Sequence, residues 1–290
     1  MSESMTSPAV ILDHEAEQIR RANASGRVPV VFVHGLWLLP SSWDRWVSAF
    51  EIAGYAALSP DWPDDPRSVT EANANPAVMA DKTVGQVADH FATVCGRLER
   101  KPVVIGHSFG GLLAQILAGR GLSATTVAIA PAPFRGVLPL PFSALKSAWP
   151  VLGNPANRRR AIPLTYDQFR YAFANAVSED EAKHLYETYA VPAAGAPLFQ
   201  AATANINPWT EAQVDLENAE RGPLLVIAGE KDHTVPWSIA NASFKQQQHN
   251  PGLTEIVEIK SRGHALTIDS GWQDVANVAL AFLRRCSPAN

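Results

Sequence analysis

Cysteine is scarce in this 290-residue chain: Cys95 and Cys286 are the only two. Two thiols cannot staple a chain of this length, which excludes a disulfide framework and makes a reducing, cytoplasmic compartment the expectation. Cys95 falls on an apolar helical stripe, where a reduced thiol packs well. Long apolar runs are also missing, so no segment is expected to span a bilayer. The opening Met1-Ser2-Glu3-Ser4-Met5 has neither a basic stretch nor an apolar core, and no secretion signal is expected from it. Basic charge is thin as well, with 24 Lys and Arg against 28 Asp and Glu, for a net charge of −4. The one basic run, Arg158-Arg159-Arg160, follows Asn154-Pro155-Ala156-Asn157 and reads as a solvated loop. A phosphate backbone would demand more, so neither nucleic acid nor a membrane is expected as a partner. Metal chemistry lacks its pattern too, because the eight histidines are scattered and His14-Glu15 has no second histidine to complete H-E-x-x-H. No metal and no cofactor are expected.

What is present is an alternation. Short apolar strand candidates recur at 28–34, 55–59, 102–107, 125–130, 223–229 and 254–260 with helical segments between them, which predicts an α/β fold with a mostly parallel sheet covered by helices on both faces. The segment 42–53 places Trp43, Trp46, Val47 and Phe50 on one helical face, with Ser41 or Ser42 to cap it and Gly54 to end it. Further helices are expected at 82–100 and 272–285. Between 131 and 222 the strand rhythm stops, proline and aromatics accumulate, and helices are predicted at 166–177 and 181–189, the latter opened by a capping box at Ser178-Glu179-Asp180-Glu181. The expected organisation is an N-terminal extension (1–27) with one helix at 13–24, a core of 28–130 and 223–290, and an inserted helical cap of 131–222.

Gly106-His107-Ser108-Phe109-Gly110 fits the G-x-S-x-G nucleophile elbow, between the strand 102–107 and a helix-like apolar segment. A serine hydroxyl is a poor nucleophile unaided, so a base, an acid and oxyanion donors are needed. Asp232 lies in Gly229-Glu230-Lys231-Asp232-His233-Thr234-Val235-Pro236 after one strand, and His264 in Gly263-His264-Ala265 after the next. In a parallel sheet the carboxyl ends of the strands share one edge, so Ser108, Asp232 and His264 can converge there. Asp269 competes as the acid by its nearness to His264, but Asp232 has the strand-end position. No carboxylate follows the strand 125–130, which runs into Ala130-Pro131-Ala132-Pro133. His34 is expected to brace the loop after the first strand, His107 to pack beside the elbow, and His233 to be a surface neighbour of the acid.

With the order Ser, Asp, His, the chain resembles the α/β-hydrolase superfamily from about residue 28 onward. The matching pieces are Val33-His34-Gly35-Leu36, Gly106 to Gly111, the stretch Gly229 to Pro236, and Gly263-His264. Within it, His34-Gly35-Leu36-Trp37-Leu38-Leu39-Pro40-Ser41-Ser42-Trp43 is similar to the bacterial cofactor-free haloperoxidase and esterase branch. That resemblance implies an oxyanion hole from the backbone N–H groups of Leu36 and Phe109. After the second strand the chain departs from it, with Asp61-Trp62-Pro63-Asp64-Asp65-Pro66 where many relatives carry a G-x-G-x-S turn.

The expected chemistry is carboxylic ester or lactone hydrolysis through an acyl-enzyme on Ser108. C–C bond hydrolysis or perhydrolysis on the same triad, and a non-catalytic ligand receptor, are the alternatives. Trp37, Phe142, Trp149, Tyr166, Phe173 and Trp237 are candidates to line an apolar pocket for a small to medium apolar substrate. Association into a homo-oligomer is left open.

Overall fold

The computed structural model describes residues 10–286. Through β4, the elements are α1 (Asp13–Ser25), β1 (Pro29–Val33), α2 (Asp44–Ile52), β2 (Ala56–Leu58), α3 (Val69–Ala74), α4 (Val84–Gly96), β3 (Val103–His107), the elbow helix α5 (Phe109–Gly119) and β4 (Thr125–Ile129). After β4 the chain leaves the sheet and builds α6 (Phe142–Leu152), β5 (Ala161–Ile162), α7 (Tyr166–Ala172), α8 (Glu179–Tyr189), β6 (Ala193–Ala194) and α9 (Ala196–Thr203). It returns through β7 (Leu224–Gly229), α10 (Trp237–Gln247), β8 (Thr254–Ile259) and α11 (Trp272–Cys286).

Six strands form one sheet in the order β2-β1-β3-β4-β7-β8, and every neighbouring pair is parallel. Each residue of β1, β3, β4 and β7 is buried, as required of strands covered on both faces. The register aligns Val33 with Gly106 and His107 with Ile129, so β1, β3 and β4 deliver their following loops to one level of the sheet edge. β5 and β6 pair antiparallel in a separate small ribbon.

The region 42–53 begins differently from expectation. Pro40 opens a 3-10 turn through Trp43, and the Ser42 hydroxyl donates to the Leu39 carbonyl instead of capping a helix. α2 then spans nine residues, too short to persist alone. Packing holds it: Phe32 of β1 stacks on Trp43 at 4.9 Å and meets Phe50 edge-on at 5.2 Å. Burying each phenyl ring contributes about 1.5–3 kcal/mol, and aromatic geometry about 0.5–1.5 more, which outweighs the helix nucleation cost.

α4 starts at Thr83, whose hydroxyl accepts from the Gln86 N–H, while the Gln86 side chain returns to the Thr83 N–H. At α8 only half of the expected box forms. Ser178 accepts from the Glu181 N–H, but the Glu181 carboxylate reaches across to the Ser270 N–H and hydroxyl. Arg221, fully buried just before β7, donates to the Gln247, Gly252 and Leu253 carbonyls and to the Gln247 and Thr254 side chains. Desolvation pulls this guanidinium down to about 10, and its bonds pin β7, α10 and β8 together at the end opposite their functional loops. Among the described residues no helix is long and apolar enough to cross a membrane.

Candidate active site

Ser108 stands between β3 and α5 with φ 57° and ψ −120°, a conformation L-residues rarely adopt and one that costs about 1–3 kcal/mol. The surrounding backbone compensates. The Ser108 N–H donates to the Ile129 carbonyl, and its own carbonyl accepts from Gly111 and Ala132, each at 2.9 Å. A Cβ on Gly106 would sit 1.9 Å from the Gly110 carbonyl oxygen, and one on Gly110 would sit 1.9 Å from that of Val33. The two glycines therefore exist because strand, helix and neighbouring strand touch backbone to backbone.

Two loops converge on this hydroxyl. The Lys231 N–H donates to the Arg262 carbonyl at 2.8 Å and the Glu230 carboxylate accepts from the Ser261 N–H, which ties the loop after β7 to the loop after β8. Asp232 Oδ1 accepts from the Thr234 and Val235 N–H groups at 2.7 and 2.8 Å. With that oxygen occupied, Oδ2 faces His264 and accepts from Nδ1 at 2.7 Å. This bond leaves the lone pair on Nε2, and Nε2 lies 3.0 Å from Ser108 Oγ. All three side chains are buried. The arrangement can accept the serine proton on Nε2 and balance the resulting imidazolium with a carboxylate. Asp269, the competing acid, is turned elsewhere: it accepts from the Gly271 N–H and faces Arg262, while burial pushes its carboxyl above the usual range.

His107 does more than fill space beside the elbow. Its Nε2–H donates to the His264 carbonyl at 2.9 Å, and the two rings lie 4.7 Å apart. Complete burial, and secondarily the neighbouring His264, push its pKa well below the ordinary histidine value. The folded protein thus holds His107 neutral while the unfolded chain protonates it near 6.5, so stability is full above that pH and falls as pH drops through it. In His107→Gln, which keeps a donor for the His264 carbonyl, the loss of melting temperature between pH 7 and 5 should be shallower than in wild type. An unchanged acid slope in thermal melts would contradict the assignment.

The backbone N–H groups of Leu36 and Phe109 have no acceptor among the described residues. Phe109 is the first residue of α5, where unpaired amides and the helix dipole favour negative charge. Gly35 presses on the elbow so closely that a Cβ there would lie 2.8 Å from Ser108 Cβ. His34 Nδ1 donates to the Gly35 carbonyl at 2.9 Å, and its Nε2 lies 3.1 Å from the Asp65 carboxylate. Asp65 is in turn paired with buried Lys82, and Trp62 stacks on His34 and donates to its carbonyl. Asp65 and Lys82 escaped sequence reasoning, although Asp65 lies in the segment that departs from the relatives' turn. Trp37 takes a φ of 64°, donates from Nε1 to the Ile162 carbonyl and accepts the Val191 N–H on its own carbonyl.

A cavity of about 150 Å³ opens over Ser108 and Phe109. Trp37, Val137, Leu140, Leu198, Val235 and Ile239 supply much of its apolar wall. A second hollow of about 460 Å³ is bounded by Lys146, Asp167, Arg170 and Tyr171, and Ser108 is not part of its lining. Of the six aromatics expected at the pocket, Trp37 alone lines it. Phe142 and Trp149 are 79% and 66% exposed. They sit two turns apart on one face of α6, whereas that helix packs through Ser147 and Val151 on the other. Tyr166 packs on Tyr186 and donates its hydroxyl to Glu179. Trp237 begins α10 half out in solvent, away from the lining. Phe173 is buried edge-on against the His264 ring at 5.0 Å, behind the imidazole. His233 is half-buried, donating from Nδ1 to the Tyr171 carbonyl. The aliphatic lining was missed because several of its residues, Val137, Leu138, Leu140 and Val235 among them, lie in loops that carry no periodic signal. Cys95, the other buried nucleophile type, has its thiol pushed up to about 12 by burial and stays inert.

This architecture recurs in solved structures. The monoacylglycerol lipase of Paleococcus ferrophilus superposes with a TM-score of 0.61 at 21% identity, covering 89% of this chain and 95% of its own. A thermophilic esterase from Thermogutta terrifontis gives 0.64 at 18% identity, with 90% and 91% covered. A putative non-heme bromoperoxidase from Mycobacterium tuberculosis gives 0.64 at 18%, with 90% and 93% covered. At these identities the likeness is one of fold. No curated protein sequence matches significantly. The model of the alpha/beta hydrolase family matches residues 30–278, a span that runs from β1 through the elbow and both later loops into α11. By that match over most of its length, the chain belongs to the α/β hydrolase family.

Proposed function

We propose that the protein is a serine hydrolase cleaving small apolar carboxylic esters or lactones. The observation that carries this reading is the continuous chain from Asp232 through His264 to Ser108 Oγ, at 2.7 and 3.0 Å, beside two unpaired N–H groups. Ser108 Oγ attacks the carbonyl carbon as His264 Nε2 takes its proton. The carbonyl oxygen, now an oxyanion, is received by Leu36 and Phe109, each such donor being worth about 3–4 kcal/mol in the transition state. His264 then returns the proton to the departing alkoxide, leaving an acyl group on Ser108. Water, deprotonated by the same nitrogen, attacks this ester, and collapse releases the acid and regenerates the serine.

The cavity over Ser108 is walled mainly by aliphatic side chains, which suits an apolar acyl or alkyl group. The similarity to a lipase, an esterase and a putative bromoperoxidase supports acyl chemistry in general and leaves the acyl acceptor, water or hydrogen peroxide, to experiment. A fluorophosphonate probe should label wild type on one site, mapped by peptide mass spectrometry to Ser108, and p-nitrophenyl acetate and butyrate should turn over faster than the laurate. A folded protein that neither labels nor turns over these esters would instead be a ligand receptor built on this fold.

A further inference from the structure

The mouth of the cavity over Ser108 carries an unusual concentration of bare apolar surface. Leu138, Leu140, Phe142, Leu145 and Trp149 are all exposed, at 74, 66, 79, 38 and 66%. Three of them, Leu138, Leu140 and Leu145, reach into the cavity lining, so the exposed surface and the cavity wall are continuous. Ile206 and Trp209 extend the patch, at 82 and 87% exposure. They follow Asn205, which lines the cavity and is bonded through its side chain to the Gly136 N–H and the Val137 carbonyl. Isolated exposed hydrophobics need no explanation, but a contiguous set around one opening marks an interaction surface.

Charge identifies the occupant. Residues 131–166 contain no Asp or Glu, yet hold Arg135, Lys146, Arg158, Arg159 and Arg160, in a chain whose net charge is −4. All five are exposed, and among the described residues none forms an ion pair. They border the apolar patch. The Arg135 guanidinium donates to the Pro208 carbonyl beside Trp209, and the turn Pro155–Arg159 is fastened to the end of α6 by Asn157, which donates to the Pro150 and Val151 carbonyls. Lys146 lies between the patch and the second hollow, its ammonium 4.0 Å over the Tyr171 ring with Asp167 nearby. A second copy of the chain seated here in a two-fold contact would set this cationic segment against itself and close the cavity mouth.

We propose, against the expectation of no membrane partner drawn from overall charge, that this face docks on an anionic lipid surface, the exposed Leu, Phe and Trp side chains entering the headgroup boundary and the cations of 131–166 meeting lipid phosphates. The cavity then opens toward the apolar phase, in which an apolar ligand is concentrated. Docking of this face does not require any chemistry at Ser108.

The test is co-sedimentation of the full chain with vesicles of phosphatidylcholine, with and without phosphatidylglycerol. Binding is expected to the anionic vesicles, to weaken with added salt, and to fall at least about tenfold in Phe142→Ser/Trp149→Ser and in Arg158→Glu/Arg159→Glu. Thermal melts and fluorophosphonate labelling verify that each variant is folded with its site intact. Absence of sedimentation, or equal binding by the variants, overturns the proposal. So does a wild-type dimer in light scattering that Phe142→Ser/Trp149→Ser converts to monomer, because the patch then belongs to a second copy.

Discussion

Ser108→Ala should lower kcat toward p-nitrophenyl butyrate by about 10⁵–10⁶-fold, with the melting temperature nearly unchanged. The size follows from the geometry. Among the described residues His264 Nε2 has one partner, Ser108 Oγ, and without it the base holds no nucleophile in place. What survives is the polarisation of the carbonyl by Leu36 and Phe109, which can still assist direct attack by water. The hydroxyl makes no other bond among the described residues, so its removal leaves nothing unpaired in the fold except that nitrogen. Because base and nucleophile work as one unit, Ser108→Ala/His264→Ala should be no slower than either single variant. Steady-state assays of the three proteins decide the matter. Multiplicative losses would mean that the two side chains act separately and that the proposed relay is wrong.

Gly110→Ala and Gly106→Ala should each be severely damaging for the addition of one methyl. Each added Cβ would fall 1.9 Å from a backbone carbonyl oxygen, on Val33 and Gly110 respectively. Neither oxygen can move without moving β1 or the first turn of α5, so the elbow must open. We expect a loss of more than about 4 kcal/mol, or failure to accumulate as soluble protein. Gly96→Ala is the control. Nothing lies within 4 Å of a Cβ at the end of α4, and the substitution should gain about 0.5–1 kcal/mol by reducing the freedom of the unfolded chain. Urea midpoints of the variants would test both signs. A mild effect at Gly110 would show that the strand-to-helix contact is looser than described.

The core was legible because its signals are local. β1 and β7 are apolar throughout and β3 and β4 nearly so, and Ser108, Asp232 and His264 follow the carboxyl ends of β3, β7 and β8, so the three could be named from strand-end position and order. Leu36 and Phe109 came from a resemblance, since a backbone N–H leaves no mark in a sequence. The region between β4 and β7 was legible in kind only. α7 was expected to run to Val177 because Phe173 continues its aromatic rhythm, yet it ends at Ala172. The Phe173 carbonyl is used instead by the Ala265 N–H, next to His264. Phe142 and Trp149 read as pocket residues because large aromatics are usually buried. Here they face solvent, and helical spacing cannot tell which side of a helix has a partner. The Asp65–Lys82 pair lies 17 residues apart across a loop and two short helices, and no periodicity reports such a contact.

Trp37 bears on how this hydrolase-family scaffold can be rebuilt. Its indole and its carbonyl are spent on Ile162 and Val191, on either side of α7 and α8, while its neighbour Leu36 carries the amide proposed to receive the oxyanion. The region between β4 and β7 is therefore not an interchangeable module. A graft from a relative would have to reproduce a carbonyl and an amide at those two points, or leave Trp37 at positive φ with nothing to hold it. Chimeras that keep 160–163 and 190–192 native, and exchange only the aliphatic wall of α6 and α9, offer the route to altered selectivity at constant rate.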